Sequence, residues 1–439
     1  MKGPMTRASA GESYLKHSGS DAFHVESYDL DLRYRIVRNR LDATAIIAVR
    51  ATRDIRSLQL DLVGLRATKV KVDGEQTRFR QSSTKLTVTL PSALTAGDDV
   101  SVRVDYGGAP APRSSRWGAI GWEELDDGVI VAAQPTGAPT WFPCNDRPAD
   151  KARYRIRVQT DASYVAVANG TLVHRSSSSG TSTWEYRQDE PTSSYLATVQ
   201  IGRYQSHHDS SAGVPVTLIR PRALARRVGA DFAELPGMVE CFAAAFGPYP
   251  FDEYKVVVTP DDLEIPLEAQ GMAVFGANHA DGHGGSERLV AHELAHQWFG
   301  NSVGLEDWRD IWLNEGFACY AEWIWSEHSG GASAGDCAVL HHANLAELPQ
   351  DIVVGDPGPA RLFDDRVYKR GALTLHALRT EFGDRLFFDA LRDWTAEHRH
   401  ATATTADFVG TAVRVMGSDA AQIVDDWVYR LPLPPLPQA

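Results

Sequence analysis

Two histidines four residues apart, with a glutamate directly after the first, stand inside an apolar run at residues 290–300 (VAHELAHQWFG). Positions i and i+4 share one face of a helix, so His292 and His296 can aim ring nitrogens at a single ion. Glu293 lies one position round the helix, beside such an ion, where a base for metal-activated water belongs. Taken alone, the pentapeptide also fits a helix carrying two surface histidines. Eighteen residues separate His296 from Glu315, which lies in a second helical pattern at 312–318 (WLNEGFA). A glutamate on a neighbouring antiparallel helix completes a His₂Glu set for one Zn²⁺ per chain. Three protein ligands leave a coordination position open, which marks a catalytic zinc; a structural zinc takes four. Glu322, seven residues beyond Glu315, falls on the same helical face and can orient a ligating histidine from behind. A solvated glutamate is the competing reading for that position.

The elements that must carry these groups change character midway along the chain. Residues 22–205 alternate with period two, as in Tyr28-Asp29-Leu30-Asp31-Leu32 and Lys85-Leu86-Thr87-Val88, and predict strands. Ser176 to Gly180 reads as a hairpin tip. After about residue 206 the spacing turns helical: 222–246 reads as a helix stopped by Gly247-Pro248, Tyr254 to Val258 as a strand, and 286 onward as mostly helix. The predicted boundary lies near 203–212, where SHHDSSAG interrupts the pattern. The expected organisation is a disordered tail at 1–21, a β-domain at 22–205, a catalytic domain at 206–433 and a proline-rich tail at 434–439.

Composition narrows the partners. The chain has 439 residues and a formal charge of −13, so no basic surplus exists to neutralise nucleic-acid phosphates or to dock on anionic membranes. A cation or an amine suits this balance. No run approaches 18 apolar residues and the first twenty contain no signal-like apolar core, so a cytoplasmic protein without a transmembrane segment is expected. Cys144, Cys241, Cys319 and Cys337 form no close pair and read as reduced thiols. The sequence leaves the oligomeric state open, and a monomer suffices for the site.

HELAHQWFG, the 18-residue gap and WLNEGFA together resemble the M1 family of gluzincin aminopeptidases, which includes leukotriene A4 hydrolase-like and aminopeptidase N-like enzymes. WFPCNDRPADKA at 141–152 is similar to that family's F-P-C-x-D-x-P segment, and VYKRGAL at 367–373 to its Y-x-K-G-A segment. The resemblance implies an α+β architecture: an all-β saddle or sandwich domain followed by a thermolysin-like, mainly helical catalytic domain. It implies a short form without the family's C-terminal helical domain. It further implies that Tyr368 is the phenol that stabilises the oxyanion, with Arg370 at the family's usual lysine. The family's G-x-M-E-N segment is degenerate here. Ile265 and Ala269 replace its glycine and asparagine, and Glu268 stands where the glutamate binds the substrate's α-amine. Gln134, eight residues before Phe142, matches the position from which the β-domain reaches the same amine. Asp261, Asp262 and Glu264 add acidity nearby and also fit a solvated loop.

These residues, read with the resemblance, imply a zinc aminopeptidase acting on peptides with a free N-terminus. Zinc on His292, His296 and Glu315 would activate water, Glu293 would act as general base, and Glu268 with Gln134 would hold the ammonium. A zinc endopeptidase or an epoxide hydrolase on the same site is the alternative, kept open by the degenerate segment. A non-catalytic M1-fold scaffold is the alternative of another class.

Overall fold

In the N-terminal half, alternation builds sheets with one buried face. The strand Phe23–Arg35 buries Val25, Tyr28, Leu30, Leu32 and Tyr34, and pairs antiparallel with Arg40–Ala51 and parallel with Ala152–Asp161. These three are the centre of an eight-stranded sheet. A three-stranded sheet from Ile55–Asp61, Lys85–Leu94 and Phe79–Gln81 shares its core, as does a five-stranded sheet that includes Gly128–Ala132 and Gly118–Leu125. The computed structural model describes residues 14–211 and 213–437.

The second half opens on another five-stranded sheet, ordered Tyr204–Asp209, Val216–Pro221, Tyr254–Val258, Met272–Phe275, Leu267–Ala269. The helices follow in chain order: α1 (Ala225–Asp231), α2 (Leu235–Phe246), α3 (Glu287–Ala295), α4 (Trp312–His328), α5 (Ala334–Ala346), α6 (Asp365–Glu397), α7 (Thr405–Met416) and α8 (Asp419–Val424). Every residue of α4 from Trp312 to Trp325 is buried, which makes it the central rod of this half, with α3 and α6 packed on it. A third small core, including Ile130, Val167, Val257, Met272 and Val274, joins the two halves. The fold is therefore the expected one, a β-domain on a mainly helical domain. No helix among the described residues is long and apolar enough to cross a membrane.

Four local expectations need correction. Of the tail predicted at 1–21, residues 1–13 lie outside the described residues, but 14–21 are docked. The Tyr14 hydroxyl donates to Asp356, and Gly19 N–H donates to Asp61 Oδ2 at 2.8 Å. The tail predicted at 434–439 begins inside the fold: His342 Nε2 donates to Pro434 O at 2.7 Å, and Leu436 packs on the core; 438–439 lie outside the described residues. Ser206-His207-His208 do not interrupt the structure but complete the strand Tyr204–Asp209, pairing with Thr217–Ile219. A polar edge strand buries only Tyr204 and so carries no apolar alternation to read. The helix predicted at 222–246 is broken around Phe232 into α1 and α2.

Candidate active site

Helix α3 presents His292 and Glu293 on successive positions, and His296 caps its C-terminus. The two imidazoles sit 4.8 Å apart at 81°. Glu315, in the first turn of α4, places Oε2 3.5 Å from Nε2 of both rings. The ligand atoms of His292, His296 and Glu315 all lie within 4.8 Å of one another. Their orientation is fixed from behind. His292 Nδ1 donates to Glu322 Oε1 at 2.7 Å, and Arg288 holds the other oxygen of that carboxylate at 2.9 Å. His296 Nδ1 donates to Phe299 O at 3.1 Å. Both Nε2 atoms are thus turned inward, the tautomer a metal requires.

The charge balance of this pocket fits a divalent cation. Four carboxylates, Glu268, Glu293, Glu315 and Glu322, surround two imidazoles, and the Glu293 Oε2 atom is buried without a partner. Burial disfavours a charged His292, yet Glu315 and Glu322 carry its pKa up to about 10. His296 rises to about 9 against its burial, chiefly through Glu315 and Glu268. Burial would raise Glu315, but His296 and His292 hold it at about 2. A metal ion on the same nitrogens would take the place of any proton there.

Glu293 and Tyr368 flank the donor trio. Glu293 is pushed up to about 7 by burial, opposed by His292. Tyr368, in the first turn of α6, stacks at 6.1 Å and 19° from His292. Burial, then the carboxylates of Glu315, Glu268 and Glu293, raise its phenol well above 10, so it remains a hydrogen-bond donor. Helices α4 and α6 approach closely beside both residues, at a contact between two glycines. A Cβ on Gly316 would meet Gly371 Cα at 2.8 Å, so α4 and α6 touch backbone to backbone one residue from Glu315 and three from Tyr368. Arg370 points away from the site and donates to Trp427 O at 2.6 Å, which anchors the C-terminal segment.

Glu268 lies on the short strand Leu267–Ala269, beside the donor trio. Its carboxylate, that of Glu293 and a nitrogen of His296 lie within 4.8 Å of one another. Gln134, arriving from the β-domain, donates Nε2–H to Glu268 Oε1 at 2.6 Å. Burial raises the Glu268 pKa, with His296 opposing. Asp261 instead accepts a hydrogen bond from Asp126 N at 2.8 Å, as part of the loop. All eight residues singled out from the sequence are therefore brought into one cluster. Lys151 is a further site neighbour that was not singled out. Its buried Nζ donates to Asn301 O at 2.9 Å and Ser302 O at 2.8 Å, bolting the β-domain to the turn after His296. Its presence in the 141–152 segment was the available signal.

A β-domain set on a helical domain that gathers two histidines and a glutamate beside a carboxylate base is the arrangement of the metallopeptidase class. The chain belongs to peptidase family M1: the Peptidase M1 N-terminal domain matches residues 24–196 and the Peptidase family M1 domain matches 233–427. It is similar to the M1 zinc metallopeptidase of Deinococcus radiodurans, with 30% identity and a TM-score of 0.90 over 97% of this chain and 99% of that one. It is 26% identical to a leucyl aminopeptidase of Saccharolobus solfataricus over 86% of this chain and 50% of that protein. Yeast LTA4 hydrolase shares the fold at 18% identity and a TM-score of 0.83, over 99% of this chain and 72% of that one. The chain spans about half the length of curated relatives it matches.

Proposed function

We propose that this chain is a zinc-dependent aminopeptidase that removes the N-terminal residue of peptides. The observation that carries the reading is the position of Glu268. A half-buried carboxylate, braced by Gln134, lies within 4.8 Å of Glu293 and His296, so an ammonium held there brings only the first peptide bond to the metal. The names of the similar proteins support it: a leucyl aminopeptidase, and M1 zinc metallopeptidase structures of which one holds a Tyr-Ser-Ala substrate. His292, His296 and Glu315 hold the zinc. When bound, zinc supplies Lewis acidity, polarising the scissile carbonyl and making water a better acid.

The chain's own residues do the rest. Glu268 neutralises the substrate's α-ammonium in a half-buried pocket, and Gln134 fixes the carboxylate's rotamer. Glu293 receives the proton of the attacking water and passes it to the leaving amine nitrogen. Its place beside the donor trio suits that two-way traffic, taking the proton from water and returning it to the leaving nitrogen. Tyr368 donates its phenolic hydrogen to the oxygen on which negative charge develops. Peptides with a free N-terminus are the proposed substrates. The test is metal analysis with turnover: one zinc per chain, hydrolysis of aminoacyl amides lost on chelation and restored by zinc, and a zinc-loaded Glu293→Gln protein without turnover. A zinc-loaded wild type that hydrolyses no aminoacyl amide or peptide would overturn the reading.

A further inference from the structure

The hairpin that carries Glu268 is held against α3 by side chains that follow the second histidine, and their targets are backbone atoms. Gln297 is fully buried. Its Oε1 accepts from Gly271 N at 2.9 Å, while its Nε2 donates to Ala269 O at 3.3 Å and Met272 O at 3.4 Å. Asn301, also fully buried, donates Nδ2–H to the same Ala269 O at 2.9 Å. On the opposite side Asn169, from the β-domain, donates to Gln270 O at 2.9 Å. The tight turn at 269–272 needs Gly271 at φ +70°, and its polar backbone is satisfied through these side chains.

We propose that Gln297 and Asn301 are positioning residues that set the distance between the amine-binding carboxylate of Glu268 and the metal-binding helix, and so set the exopeptidase register. The inference rests on the reading of Glu268 as the ammonium site. Gln297 follows His296 directly, so one end of the gauge moves with a metal ligand. Its other end grips the residues immediately after Glu268. Because the grip is on carbonyl and amide groups, it does not depend on which side chain stands at 269, here a buried alanine. Ala269 can therefore stand in the degenerate segment without displacing Glu268. The whole gauge lies within hydrogen-bond contact, where a shift of about 1 Å in a reacting group costs on the order of a hundredfold in rate.

The experiment is a double-mutant cycle between Gln297→Met and Glu268→Gln in zinc-replete protein, with zinc content and melting temperature recorded for each variant. The substrate is a fluorogenic aminoacyl amide. In the parent background Gln297→Met lowers kcat/KM by about tenfold or more, mainly through KM. In the Glu268→Gln background the same change costs less than about twofold, since there is no longer a carboxylate to position. If the Glu268→Gln enzyme is too slow to assay, the cycle is read from the calorimetric Kd of free L-leucine, an amine-bearing product. If Gln297→Met does not fold, Asn301→Ser replaces it in the same cycle. Equal factors in both backgrounds would overturn the positioning role while leaving the ammonium site intact. A Glu268→Gln enzyme with unchanged kcat/KM, or unchanged leucine affinity, would overturn the ammonium site and the gauge together.

Discussion

Gln134 on the β-domain and Glu268 on the catalytic domain meet in a 2.6 Å hydrogen bond from Nε2 to Oε1. The carboxylate that faces the donor trio is thus braced from across the domain boundary, and both domains contribute to the proposed amine pocket. Removing a charged partner of a desolvated ammonium costs about 2–5 kcal/mol. Glu268→Ala is expected to lower kcat/KM on free-amine substrates by about a hundredfold or more. Removing the brace alone, in Gln134→Ala, is expected to cost about tenfold. Steady-state kinetics on one aminoacyl amide checks both, and a Gln134 effect equal to that of Glu268 would contradict the division of labour.

Tyr368 is predicted to act only where charge appears on the substrate oxygen. Tyr368→Phe keeps the ring stacked near His292 but removes the donor. Loss of one oxyanion donor costs about 10²–10³ in kcat, with KM and zinc content unchanged. A rise in KM without a fall in kcat would place the phenol in ground-state binding instead.

Glu322 accepts from His292 and is itself paired with Arg288. Loss of such an outer partner weakens metal affinity about 10–100-fold. Glu322→Ala should therefore lose zinc at lower chelator concentrations than the parent, in a competition titration. Full activity at saturating zinc with reduced affinity is the expected pattern. Unchanged affinity would mean that His292 needs no support.

Asp146 gives a pH prediction away from the metal. It is 3% exposed, and its Oδ2 atom has no partner. Burial, and then the nearby Asp61 carboxylate, push its pKa from 3.8 up to about 7. Between those values the native state keeps a proton that the unfolded state releases. The proton-linked stability is therefore fully present below pH 3.8 and is lost as pH rises through about 7. Asp146→Asn, which cannot ionise, should gain melting temperature relative to the parent at pH above 7 and lose that advantage near pH 4. An equal difference at both pH values would contradict the shift.

Much of this site was legible because it depends on local periodicity. His292 and His296 share a helix face by their spacing alone, and Glu315 follows at an interval that two antiparallel helices can close. Glu268 was visible only through resemblance, since the segment that marks it has lost its glycine, methionine and asparagine to Ile265, Leu267 and Ala269. Its placement depends on Gln297 and Asn301 gripping backbone atoms, and main-chain contacts leave no trace in the identities of residues 265–269. Gln134 and Lys151 act across 134 and 150 positions respectively, distances over which no pattern carries information. The Gly316–Gly371 contact is equally silent, because two glycines at a helix crossing read as weak helix formers until the helices are packed. The strand Tyr204–Asp209 and the docked segment 14–21 were missed for a related reason: both are held mainly by hydrogen bonds and not by a buried apolar stripe.

The most direct test of the central claim compares one peptide with its N-acetylated form, using zinc-loaded enzyme and following the products by mass spectrometry. The account predicts release of the first residue from the free peptide, no cleavage at internal bonds, no cleavage of the acetylated peptide, and loss of all turnover on chelation. Equal cleavage of both peptides, or fragments from internal bonds, would contradict it.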